Sequence, residues 1–167
     1  MSLLSVLFFA DDYVKYLLTC KFPGKDLKEI NDVVYEDSDA YLTDKGKKTS
    51  LLDIFYDEKL KGKFTKDKYP VFLEIHGGGW IEGDKKMRRG YSQHFAREGA
   101  IVINVSYGLG PKFQFQDYVR QLYKAMEWIV ANAEKYDMDL DNVFVSGDSA
   151  GGHLAMELVN CQAHEEY

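Results

Sequence analysis

The chain has 167 residues, 46% of them hydrophobic and 14% aromatic, which is enough apolar mass for one real hydrophobic core. A formal net charge of −6, with lysines interleaved among acids, gives no electrostatic footprint for nucleic acid. Cys20 and Cys161 lie far apart and outside any C-x-x-C spacing, which argues against a disulfide framework or a zinc site and fits reduced thiols.

The apolar run over residues 3–10 lacks a basic n-region and a small-x-small cleavage site, and Asp11 and Asp12 follow at once, so it does not read as a signal peptide. Leu3, Val6, Leu7, Val14, Leu17 and Leu18 instead share one helical face over residues 2–19. Phe22-Pro23-Gly24 then breaks the pattern, and residues 1–30 are expected to be a helical segment packing on or capping the rest. No stretch approaches the ~20 apolar residues of a membrane-spanning helix, so a soluble cytoplasmic protein is expected.

Residues 33–35 and 51–56 read as two early strands, paired as a hairpin across the polar, lysine-rich turn 43–50. Residues 57–69 form a charged connection closed by Pro70, and 71–75 a strand that enters a glycine-rich loop. Met87, Tyr91 and Phe95 recur at helical spacing, with Gly99 where a C-terminal cap belongs. Residues 100–105 are nearly continuous apolar, as expected of a central strand in a parallel sheet covered on both faces. Val119, Leu122, Met126, Ile129 and Ala133 mark a second helix within 115–136, residues 142–145 a short strand, and 150–161 a third helix. Strand and helix alternate from residue 70 onward, which predicts one α/β domain over 1–167 with a mostly parallel sheet and crossover helices.

Two short motifs carry the chemistry. Gly147-Asp148-Ser149-Ala150-Gly151-Gly152 reads G-x-S-x-G, a strand-to-helix turn so tight that the serine side chain is thrust out at the C-terminal edge of a sheet. His76-Gly77-Gly78-Gly79-Trp80 reads as a loop whose backbone N–H groups meet an oxyanion. A serine hydroxyl attacking an ester leaves negative charge on the carbonyl oxygen. The N–H of Ala150 opens a helix and is an unpaired donor with the positive end of the helix dipole behind it.

In these motifs, and in Gly83-Asp84-Lys85 and Ser106-Tyr107-Gly108-Leu109-Gly110-Pro111, the chain resembles the N-terminal part of an α/β-hydrolase. The branch is that of carboxylesterases similar to hormone-sensitive lipase and to bacterial acetyl or feruloyl esterases. The resemblance runs from the strand at Val71 to the helix after Ser149. It implies hydrolysis of a small-molecule ester through an acyl-serine intermediate, without metal or cofactor. Ser149 would be the nucleophile and Gly78, Gly79 and Ala150 the oxyanion hole, with Gly77 and Trp80 against the substrate. The turn after the fourth strand departs from the family's Asp-Tyr-Arg-Leu-Ala-Pro, having Ser106, Gly108 and Gly110 for Asp, Arg and Ala.

In that family the acid and the base follow the serine on later loops, whereas only 18 residues follow Ser149 here. The chain is therefore expected to be incomplete at its C-terminal side and weak or inactive alone. The alternative is a non-catalytic module that binds a partner through an open sheet edge, by self-association or with a complementing C-terminal segment. His76 is expected to organise its loop, and His94 to be a surface or structural residue. His153, one turn into the last helix, has no evident carboxylate to orient it as a base. Asp137, Asp139 and Asp141 alternate like a calcium loop, but Asn142 stands where that loop needs Gly, so a polar turn is expected.

Overall fold

A computed structural model describes residues 27–163. In chain order it contains β1 (Lys28–Val34), β2 (Leu51–Tyr56), β3 (Tyr69–Ile75), α1 (Arg89–Glu98), β4 (Ile101–Val105), α2 (Phe115–Asn132), β5 (Met138–Gly147) and α3 (Ala150–Ala163). The strands form one sheet of order β1-β2-β4-β3-β5. β1 pairs with β2 and β2 with β4 antiparallel, while β3 runs parallel to both β4 and β5. The expected N-terminal helix lies outside the described residues. Among those residues no helix is long and apolar enough to cross a membrane.

Period-two alternation sorts the β3 side chains between two layers. Val71, Leu73 and Ile75 pack with Leu122 and Ile129 of α2 and with Leu154 and Leu158 of α3. Phe72 lies on the other face, stacked on Phe95 of α1 at 4.4 Å beside Val102 and Phe55. All five residues of β4 are buried, so it is the covered central strand its apolar run predicts.

Several boundaries move from the sequence expectation. β1 begins at Lys28, earlier than residue 33, and a register shift against β2 lies between Ile30 and Val33. β3 begins at Tyr69 and contains Pro70 instead of starting after it. The parallel register shifts between Pro70 and Val71, and such an irregularity accommodates a residue with no N–H to give the ladder. Met87 falls in a 3-10 turn, Lys85–Arg88, and α1 starts only at Arg89, ending at Gly99 with φ 105. α2 stops at Asn132, short of residue 136. β5 extends from Met138 to Gly147, well beyond residues 142–145, and among the described residues it has only β3 beside it. Its Phe144 is half exposed.

Candidate active site

β5 ends at Gly147 and α3 begins at Ala150, so the chain reverses within Asp148 and Ser149, and Ser149 sits at φ +49. A left-handed conformation at a non-glycine residue costs on the order of 1 kcal/mol and persists only where its surroundings force it. Here the surroundings do. A Cβ on Gly147 would lie 2.4 Å from the Gly151 carbonyl carbon, and one on Gly151 would lie 2.2 Å from the Ile75 oxygen. The helix and the end of β3 therefore approach at backbone contact, and Ser149 is left exposed at the apex.

The loop after β3 is equally constrained. Gly78, Gly79 and Trp80 all have positive φ, at 114°, 59° and 63°. Its carbonyls turn inward: Gly78 O accepts the N–H groups of Ile81 and Glu82, and Trp80 O accepts that of Gly110 at 2.7 Å. The N–H groups of Gly78, Gly79 and Ala150 donate to no group among the described residues. Three unsatisfied backbone donors thus stand on the two loops that flank Ser149, an arrangement suited to an anion.

Asp148 ties the two loops together, its Oδ1 accepting the Gly77 N–H at 3.1 Å. His76 is fully buried and stacks on Tyr107 at 4.4 Å, while its carbonyl accepts the Tyr107 hydroxyl at 2.9 Å. Its Nδ1 lies 2.7 Å from Gly77 O, an acceptor only, so Nδ1 carries the proton. Burial holds its pKa below the ordinary histidine value despite that bond. His76 therefore organises the loop, as expected, and does not act as an exposed base.

The other sequence candidates fall into place around these loops. His94 is exposed on α1. His153 packs its ring against Trp80 at 5.7 Å and Phe115 at 5.3 Å, and no carboxylate bonds to it. The expected polar turn at Asp139–Asn142 is instead part of β5, at its register shift against β3, where Asp139 accepts the Asp141 N–H and the Asn142 amide. No cluster of three or more metal-type ligands occurs among the described residues. The 106–111 turn is held by groups other than the family's: Gln121 Oε1 accepts the Gly108 N–H at 3.0 Å, and Ser106 Oγ accepts the Lys85 N–H at 3.0 Å.

Two buried ion networks beneath the site were not foreseen. Lys85 Nζ lies 2.6 Å from Asp32 and 2.7 Å from Asp53, with only 4% of the lysine exposed. Desolvation alone would lower the lysine pKa, but the two carboxylates outweigh it and the pKa rises. In the second network Arg88 links Glu74 to Asp148. Both cations belong to the run Lys85-Lys86-Met87-Arg88-Arg89, where the sequence marks Lys85 only as part of Gly83-Asp84-Lys85 and gives Arg88 no role. A cleft of about 390 Å³ opens between the 43–49 turn, residues 83–86 and residues 106–113, and neither Ser149 nor residues 77–80 line it.

A mixed sheet, parallel from β4 through β3 to β5, with helices on both faces, a serine elbow after one strand and a glycine loop after its neighbour define an α/β-hydrolase. Residues 52–166 match the BD-FAE family model, and the chain belongs to that family. It shares 29% identity over 147 residues with an α/β hydrolase of Acanthamoeba polyphaga mimivirus, covering 80% of this chain and 42% of that one. With arylacetamide deacetylase of Rattus norvegicus it shares 41% over 99 residues, 56% of this chain and 25% of the relative. Among solved structures it is similar to esterase B of Lactobacillus rhamnosis inhibited by a tributyrin phosphonate. That match has a TM-score of 0.81 and 27% identity, and covers 96% of this chain and 48% of the other. The chain is thus an esterase-family α/β-hydrolase fold that spans less than half the length of each of these relatives.

Proposed function

We propose that the chain carries the nucleophile and oxyanion-binding half of a carboxylic ester hydrolase that works through an acyl-serine intermediate. Ser149 Oγ attacks the ester carbonyl carbon, and the displaced electron pair on the carbonyl oxygen is met by the N–H groups of Gly78, Gly79 and Ala150. The Oγ proton passes to a base from outside the described residues and from it to the departing alcohol, leaving an acyl-serine; water then cleaves this to the carboxylic acid and restores the Ser149 hydroxyl. Trp80, on the same loop, would stand against the substrate, whereas Gly77 is buried with its N–H held by Asp148 and would act through the loop. The observation that carries this reading is the pairing of an exposed, left-handed Ser149 with three undonated N–H groups on two tethered loops. Removing one such donor typically costs about 2.7 to 4 kcal/mol of transition-state stabilisation. The base and its carboxylate are not among the described residues near Ser149, so the chain alone is a poor catalyst.

A fluorophosphonate tests the reading, because its phosphoryl group mimics the tetrahedral oxyanion. Ser149 is expected to label slowly but selectively over the other serines, as peptide mapping would show, and p-nitrophenyl acetate turnover to stay near background. Labelling that is spread evenly over several serines, or unchanged in Ser149→Ala, would refute it.

A second reading, a module that binds through its sheet edge, is favoured by one observation. β5 has no second neighbour among the described residues, and beside it Leu140, Phe144, Met156 and Val159 are exposed. Such an edge pairs readily with another chain, here a second copy or a complementing segment.

A further inference from the structure

Glu74 of β3 is completely buried, and a carboxylate in that position persists only when paired. Its partner is Arg88, whose Nε donates to Glu74 Oε1 at 2.6 Å. The same guanidinium holds Nη1 3.5 Å from Asp148 Oδ1, the oxygen that accepts the Gly77 N–H. The ring of Tyr91 lies 4.2 Å from the guanidinium carbon and fixes its plane. The Asp148 side chain is 42% exposed, so packing does not settle its rotamer.

We propose that Arg88 is a positioning residue for the oxyanion loop. It anchors on Glu74 in the sheet and turns the Asp148 carboxylate so that it captures the Gly77 N–H. The loop is thereby locked against the elbow, and the next two N–H groups, those of Gly78 and Gly79, keep their direction. Arginine suits the task because its planar fork serves two carboxylates at once, whereas a lysine is a single point charge. The inference rests on the reading of Ser149 and these N–H groups as the active site.

The test uses the full chain and two readouts, hydrogen exchange of the Gly77 amide and the rate of Ser149 labelling by an alkyl fluorophosphonate. Arg88→Met alone strands a buried charge, so it is paired with Glu74→Gln, which removes both ends of the anchor. In this double variant, while the melt stays cooperative, Gly77 exchange is expected to quicken about tenfold. Labelling should slow about tenfold, less than the loss from deleting a donor outright. Arg88→Lys and Asp148→Asn keep Glu74 paired and carry the test if the double variant does not fold. Arg88→Lys should restore the melt but not the labelling rate, and it should slow labelling less than about twofold further in Asp148→Asn. Unchanged Gly77 exchange and labelling in folded variants would overturn the proposal, as would full rescue by lysine or independent effects at 88 and 148. If Ser149 of the unaltered chain never labels, the functional reading fails, while Gly77 exchange still decides the role of Arg88.

Discussion

Gly151→Ala probes the closest backbone approach in the site. The added Cβ would lie 2.2 Å from Ile75 O, 2.6 Å from His76 O and 2.8 Å from His76 C, all backbone atoms that cannot rotate away. Ordinary carbon–oxygen contacts begin near about 3.3 Å, so the start of α3 and the end of β3 must part by about 1 Å. Overpacking of this kind costs about 1–3 kcal/mol, and the better helix propensity of alanine returns about 1 kcal/mol. A net loss of about 0–2 kcal/mol lowers the melting temperature by up to roughly 8 °C in a chain of this size. The functional effect is larger, since the moving helix carries Ser149 and the Ala150 N–H and a misplacement of about 1 Å costs on the order of a hundredfold in rate. Gly152→Ala is the control, because there the nearest atom is Gly147 O at 3.2 Å. It should melt within about 3 °C of the unaltered chain and label within a few-fold. The two alanine variants are compared by calorimetry and by fluorophosphonate labelling of Ser149. Equal melts and equal labelling rates would refute the claim that the β3–α3 contact positions the nucleophile.

Four further outcomes follow from the buried polar groups and the sheet edge. Lys85→Met strands Asp53 at 4% side-chain exposure and should destabilise the fold by about 3–5 kcal/mol, read as a loss in denaturant midpoint. Lys85 has a raised pKa, so its stabilisation is present below the ordinary lysine value and lost as pH climbs through the folded one; Asp32 is lowered by the hydrogen bond and charge of Lys85, so its share is lost as pH falls below 3.8. His76 has its pKa depressed by burial, so its contribution is present above 6.5 and lost as pH falls through the folded value; a melting temperature flat from pH 7.5 to 5, or a fall unchanged in His76→Gln, would contradict this. Phe144→Lys, placing a charge on the β5 edge, should reduce light scattering that rises with concentration in the unaltered chain, and a compact monomer at every concentration would show that the edge is already covered.

What could be read from the sequence was whatever leaves a local mark. The continuous apolar run of β4, the glycine at the end of α1 and the turn chemistry of the two motifs each act within a few residues, and each is present in the structure. The strand limits were harder, because Pro70 and the polar Asp139, Asp141 and Asn142 argue against strand locally, while pairing with a neighbour tolerates both at a register shift. The ion networks left no local mark at all. Lys85 meets carboxylates from positions 32 and 53, and Arg88 meets one from 74 and another from 148, so neither cation looks different from a surface residue until the sheet is assembled.

Register explains why motifs so far apart in the chain share one site. β3 and β5 are parallel neighbours, and Ile75 stands opposite Gly147. Both strands therefore end at the same level, and the two residues that follow each begin the glycine loop and the elbow side by side. A slip of one residue in this pairing would turn the β5 side chains to the opposite face and carry Asp148 away from the Gly77 N–H. The pairing thus fixes the depth of the two loops and the Asp148 bond fixes their separation. On the proposed mechanism a base comes to Ser149 from outside the described residues, and among those residues the far edge of β5 is unpaired. The β3–β5 register and the Asp148 bond thus set the geometry on which the proposed roles of Ser149 and of the Gly78, Gly79 and Ala150 N–H groups depend.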